Sequence, residues 1–210
     1  WHLTPEWESS QAAPFDHWPT QMGFNHFYGF LDGSTDQWAP SLFENTTPID
    51  PPASDPNYIL DRDLADRTIY WIREQRQIAP DRPFFAYYAT GTAHSPHHAP
   101  KAWLDRFRGK FDQGWDAMRE QTLARQKAAG IVPRDTRLTP RPAGLPAWSS
   151  LSADEQRIAA RLMEAFAASL AFADNQIGRV IESLRQSGQL DNTLVIYIQG
   201  DNGGSGEGGP

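Results

Sequence analysis

The chain has 210 residues, 39% of them hydrophobic and 12% aromatic, a composition that argues against disorder and suits one folded domain. Its formal net charge is −7 and it has no run of five like charges, so a broad electrostatic grip on nucleic acid is not expected. It has no cysteine, which excludes disulfides within these residues, and no apolar stretch approaches the roughly 18 residues needed to span a membrane.

Residues 1–57 read as loop-rich, because prolines at 5, 14, 19, 40, 48, 51, 52 and 56 interrupt any long element. Within them the aromatic, Gly-bracketed stretch 23–31 reads as an ordered packing segment. A helix is expected next. Leu60, Leu64, Arg67, Trp71 and Ile72 set up one face, Ala65 and Ile69 join it, Asp61 and Asp63 lie near its start, and Pro80 stops it. The apolar run at 84–89 reads as a buried strand leading into a loop with three histidines, His94, His97 and His98.

Residues 101–129 are expected to be helical in two pieces broken at Gly109 or Gly114. A Pro-rich connector covers 131–150. The pattern Ser152-x-x-Glu155 is a capping box opening a long helix to about Arg185, with Gly188 as its stop. Residues 194–198 read as a second buried strand, running into Gly200-Asp201-Asn202-Gly203-Gly204. Two hydrophobic strands, each followed by a loop of potential ligands, give the α/β plan in which ligands bind beyond the carboxyl ends of strands.

Three places could carry chemistry. Asp201 and Asn202 put a carboxylate beside an amide carbonyl, two hard oxygens suited to Ca²⁺ or Mg²⁺. With Gly203 they equally spell a common turn. His94, just past a strand end, is placed to bind an anionic oxygen or protonate a leaving group; a loop histidine with no role is the plain alternative. Zinc fits the 94–98 histidines poorly, since prolines break the usual ligand spacing. His2 stands at the start of the chain with nothing before it to read. Asp61/Asp63 and Asp154/Glu155 fit helix capping and dipole roles. Asp174, on the expected apolar face of the long helix, reads as a hydrogen-bond anchor, with contact to the site as the alternative.

In this order the segments resemble the type I sulfatases, and the bacterial arylsulfatase branch in particular. The resemblance rests on Trp1-His2, similar to the end of a Gly-Lys-Trp-His motif, and on Gly23-Phe24-x-x-Phe27-Tyr28-Gly29. It continues through Pro83-Phe84-Phe85, Ala93-His94-Ser95-Pro96 and Ala99-Pro100. Gly109-Lys110-Phe111-Asp112-x-Gly114-Trp115-Asp116, Leu138-Thr139-Pro140-Arg141-Pro142, Asp174-x-x-x-Gly178-Arg179 and Asp201-Asn202-Gly203 complete it.

The resemblance implies an α/β, alkaline-phosphatase-like fold, a mixed sheet between helices. Residues 1–210 would be the central part of the catalytic domain, lacking the N-terminal nucleophile segment and the C-terminal part. It implies hydrolysis of a small-molecule sulfate ester by a formylglycine nucleophile, made in the family from Cys (sometimes Ser) in Cys-x-Pro-x-Arg and expected upstream, together with Ca²⁺ (Mg²⁺ second). Carried over, His2 would contact the nucleophile, His94 would bind sulfate and protonate the leaving oxygen, and Asp201 and Asn202 would be metal ligands. The chain alone is expected to be inactive. A phosphodiesterase or phosphonate hydrolase of the same superfamily, or a non-catalytic anion-binding homologue, are the rival readings. A periplasmic or secreted site is the direction the resemblance gives; oligomeric state and the particular ester are left open.

Overall fold

The computed structural model describes residues 1–198 and Gly200. They fall into two compact units, one of residues 1–98 and 169 onward, the other of residues 99–168.

The first unit is organised around α1 (Leu60–Ile78). Its apolar face is the expected one: Leu60, Leu64, Ala65 and Ile72 are buried. Leu60 and Leu64 pack with Phe30, Leu42 and Tyr58, and Tyr28, Ile49 and Tyr88 close the cluster. A helix begins with backbone N–H groups that no helical carbonyl reaches. Here no local side chain caps them. Instead the buried Gln37 accepts from Leu60 N through its carbonyl (2.8 Å) and from Asp61 N through Oε1 (3.1 Å).

The sequence reading placed no strand in residues 1–57, yet three short ones occur there: β1 (Tyr28–Gly29), β2 (Leu42–Glu44) and β3 (Thr47–Ile49). They form an antiparallel sheet in the order β1-β2-β3, with Tyr28 opposite Glu44 and Leu42 opposite Ile49. Strands of two or three residues are too short for an alternating pattern to register. Pro48 within β3 hid the strand, although an edge strand tolerates a missing N–H. Asn45, at φ 56°, makes the tight β2–β3 turn, and its Oδ1 accepts from Phe27 N at 3.0 Å.

The runs at 84–89 and 194–198 correct the sequence reading. Neither is a strand, and their side chains are largely exposed: Phe85 by 74%, Leu194 by 85% and Ile198 by 82%. The α/β class itself holds. A β-rich composition makes a segment fit a sheet, but burial needs neighbouring backbone and covering side chains, and the described residues do not supply them here.

In the second unit, α2 (Lys101–Phe107) and α3 (Gly114–Ala128) are separated at both expected glycines, which take φ of +72° and +75°. Asp116 gathers the Pro-rich connector, accepting from Arg141 at 3.1 Å and from Trp148 N at 2.9 Å, while Trp115 meets Trp148 edge-on. These contacts hold its carboxyl below the usual range, the Trp148 N–H being the largest cause.

The long helix, α4 (Ala153–Gln186), contributes its first half to this unit and its second half to the other. It opens with the expected capping box: Ser152 N donates to Glu155 Oε2 (2.7 Å) and Glu155 N to Ser152 Oγ (3.3 Å). It ends in paired bonds, Gly188 N to Arg185 O and Gln189 N to Leu184 O, with Gly188 at φ +69°. The helical spacing of Ile158, Leu162, Phe166, Leu170, Ile177, Ile181 and Leu184 predicts its apolar face, and the buried face differs from that one. Ala160, Ala168, Ser169, Phe172, Ala173, Gln176, Ser183 and Leu184 are buried, whereas Ile158 and Leu162 are exposed. Asp174 is exposed as well; the tie from α4 to α1 is Arg179, which donates to Asp66 at 2.5 Å.

A Cβ built on Gly114 would lie 2.1 Å from the Trp148 ring, and the backbone there is left-handed. Gly114→Ala is expected to destabilise the second unit by about 2–4 kcal/mol, from backbone strain plus overpacking. A fall in the urea midpoint at unchanged slope would show it; an unchanged midpoint would show that Trp148 moves aside freely.

Candidate active site

The loop carrying His94 is built on α1. The hydroxyl of Thr92 donates to Asp61 Oδ2 at 2.7 Å. Asp61, the second residue of α1, is only 1% exposed. Gln37 Nε2 lies 3.4 Å from Thr92 Oγ1, so the amide that caps α1 also touches the loop. Thr90 Oγ1 bridges the backbone of Thr92, accepting from its N–H at 2.9 Å and donating to its carbonyl at 3.0 Å. Beneath the loop, Phe30 sits against Gly91, where a Cβ would meet the ring at 3.1 Å.

His94 follows on a turn closed by its own N–H to Gly91 O at 2.9 Å. The imidazole is half-buried, with Nδ1 2.8 Å from Ser95 O. A carbonyl oxygen only accepts, so Nδ1 is the donor in this contact.

The three histidines have separate surroundings. His97 Nε2 lies 3.3 Å from Ala93 O, and His98 stacks on Trp38 with Nδ1 3.7 Å from Asp36. Asp36 in turn accepts from the N–H groups of Trp38 and Ala39. The 94–98 cluster is therefore tied down at several points rather than converging on one centre.

His2 is exposed and its ring lies over Gly33, where an added Cβ would come within 2.8 Å of the imidazole. Its neighbour Trp1 donates its backbone nitrogen to Phe30 O at 2.8 Å and meets Tyr87 edge-on. Phe30 thus holds both the start of the chain, through its carbonyl, and Gly91, through its ring. Two clefts in the first unit, of about 250 and 600 Å³, are lined mainly by Phe24, Tyr28, Trp71 and Tyr87 and by Arg67, Glu74 and Arg82; neither His2 nor His94 lines them.

Asp201 and Asn202 lie outside the described residues. Among the described residues no group of three or more His, Asp or Glu comes together to hold a metal ion. The donor types of Asp201 and Asn202 fit Ca²⁺, but two ligands fall short of the roughly six to eight it takes, so these residues could form only part of a site.

Sequence reasoning missed Gln37, Thr92 and the role of Asp61. Asp61 was read with Asp63 as a helix-start carboxylate, and Asp63 has other business too: both Tyr28 and Tyr58 donate to its Oδ2. Burial pushes the hydroxyl pKa of both tyrosines up, and the Asp63 charge adds to it. No local signal marks the contacts of Gln37, Thr92 and Tyr28 with the start of α1, because their partners lie 24, 31 and 35 residues away.

The fold has a solved counterpart. The crystal structure of the sulfatase-family protein yidJ from Bacteroides fragilis matches 83% of this chain with a TM-score of 0.54, at 16% sequence identity and over 31% of its own length. That places the chain in the α/β class with an alkaline-phosphatase-like fold. The family profile described as Sulfatase matches residues 1–210. An uncharacterized sulfatase of Schizosaccharomyces pombe is 32% identical over 98% of this chain, and an arylsulfatase of Klebsiella aerogenes is 32% identical over 88% of it. The chain belongs to the sulfatase family. It spans 38% and 41% of the lengths of those two relatives.

Burial raises the pKa of the Asp61 carboxyl, and hydrogen bonds from Thr92 and Gln37 pull against that rise. A raised folded pKa means that the folded protein holds this proton more tightly than the unfolded chain. Below the ordinary carboxyl pKa of about 3.9 no penalty arises; it grows as pH rises through the window above that value. The Asp61→Asn variant has no such titration. Its melting temperature minus that of the wild type is expected to increase from about pH 4 to about pH 7; a constant difference across the series would refute the raised pKa.

Proposed function

We propose that this chain supplies the leaving-group side of the active site of a sulfuric ester hydrolase of arylsulfatase type. The reaction converts a sulfate ester and water into an alcohol or phenol plus sulfate. The observation that carries the reading is the His94 loop. Its imidazole is oriented through Nδ1 by Ser95, on a loop pinned to the N-terminus of α1, within a chain of the sulfatase family.

In this reading His94, protonated at Nε2, binds a sulfate oxygen and donates its proton to the oxygen that leaves with the alcohol. A preorganised imidazolium offsets the charge that builds there as the S–O bond breaks. His2 lies on the nucleophile side and assists sulfate release. Asp201 and Asn202 provide two oxygen ligands to a divalent cation, Ca²⁺ before Mg²⁺. When bound, such an ion neutralises sulfate charge and polarises sulfur. The resemblance implies a formylglycine nucleophile from a Cys-x-Pro-x-Arg motif. This chain has no cysteine, and in this reading the nucleophile is not among its 210 residues.

In the full-length protein, His94→Ala is expected to lower kcat for an aryl sulfate by about 10²–10⁴-fold, the range for loss of a general acid. Assays of phosphate monoesters, phosphodiesters and phosphonates under the same conditions decide between this reading and a phosphodiesterase or phosphonate hydrolase. A protein that binds sulfate without turning any of them over would be a non-catalytic homologue. The isolated 210-residue chain should release no sulfate, and measurable turnover by it would contradict the division of labour described above.

Gly33 offers a test of His2. Gly33→Ala puts a methyl group where the His2 imidazole now lies, and a side chain can swing away while the backbone stays. Turnover should fall by roughly tenfold or more, as small displacements of catalytic groups do, with little change in melting temperature. An unchanged kcat would remove His2 from the mechanism.

A further inference from the structure

We propose that Asp61 is a positioning residue for His94, acting through the hydroxyl of Thr92. The inference rests on the assignment of His94 above and extends it to a residue that touches neither substrate nor metal in that reading.

Asp61 is an unusual residue to bury. It is 1% exposed, Oδ1 has no hydrogen-bond partner among the described residues, and no arginine or lysine pairs with it there. A buried carboxylate without a cation costs free energy, so a purely structural position would be served better by an apolar side chain. What the carboxylate does hold is Thr92, at 2.7 Å. Thr92 is two residues before His94, and the turn between them closes through His94 N to Gly91 O.

The other end of the contact is rigid. Asp61 sits in the first turn of α1, whose neighbouring Leu60 and Leu64 are core residues, and its own N–H is held by Gln37 Oε1. Gln37 Nε2 approaches Thr92 Oγ1, so helix start, amide and hydroxyl form one closed ring of contacts. Upstream, Tyr88 packs on the core cluster and donates to Asp61 O at 3.4 Å, so the run before the loop also leans on the start of α1. The Asp61–Thr92 bond carries the stiffness of α1 to within two residues of the imidazole. Catalytic groups need that fixity, since displacement of about 1 Å can cost on the order of 100-fold in rate.

The test uses the full-length protein and the variants Thr92→Val, which keeps the shape and removes the hydroxyl, and Thr92→Ser, which restores it. Thr92→Val is expected to lower kcat by roughly 10- to 100-fold with little change in KM, and Thr92→Ser to recover most of it. In a His94→Ala background, Thr92→Val should cost nothing further, because residues acting as a unit are not additive. Hydrogen exchange of amides 91–97 gives a readout independent of turnover and should quicken in Thr92→Val. Asp61→Ala attacks the same bond from the other end; Thr92→Val decides the matter if that variant does not fold. Exchange in Thr92→Val equal to wild type would overturn the proposal. So would an equal loss of kcat with and without His94. If His94→Ala itself leaves turnover intact, the functional reading of His94 fails, and the proposal falls with it even if the exchange data show Thr92 anchoring the loop.

Discussion

The constraint on which the described site depends is the need to satisfy the first N–H groups of α1. Those donors have no helical acceptors, and leaving such groups buried and unpaired costs about 1–3 kcal/mol each. Gln37 answers for two of them, one with its carbonyl and one with its side chain. Because an amide offers both an acceptor and a donor, the same side chain has a hydrogen to direct at Thr92. A segment from the loop-rich N-terminal region, a helix start and the histidine loop thereby meet at one point. Phe30 does a second, apolar version of the same job, giving its carbonyl to Trp1 and its ring to Gly91.

Much of this architecture could be read from the sequence where the cause was local. The capping box at Ser152, the left-handed glycines at 109, 114 and 188, and the apolar stripe of α1 are each set by residues within a few positions of one another. The failures have a common physical origin in long-range partners. A two-residue strand such as β1 is defined by what lies across from it. Many of the buried positions of α4 are small (Ala160, Ala168, Ser169, Ala173, Ser183), so counting large apolar side chains placed Asp174 inside when it is exposed, while Arg179 reaches Asp66 on α1. The site divided the same way. His94 was visible as a histidine past an apolar run, while Asp61 looked like one of two ordinary helix-start acids and Gln37 and Thr92 like nothing in particular.

Membership of the sulfatase family and the local geometry support different statements. The family model and the relatives show the family, and the solved counterpart shows the fold; the geometry says how one histidine is held. The geometry shows the His94 ring donating through Nδ1 to Ser95 O; the role of that ring belongs to the proposal. The oxygen ligands at Asp201 and Asn202 belong to the proposal alone.

The exposed aromatic and aliphatic runs have a practical corollary for anyone handling this chain by itself. Phe85 and Tyr87 on one run, and Leu194, Ile196 and Ile198 on another, present β-prone, uncharged surface with no proline inside it. Extended backbone of that composition is a template for pairing with its own kind. Expressed in isolation, the polypeptide should be prone to inclusion bodies, and a charged residue at Ile196 would be the first gatekeeper to try for keeping it in solution.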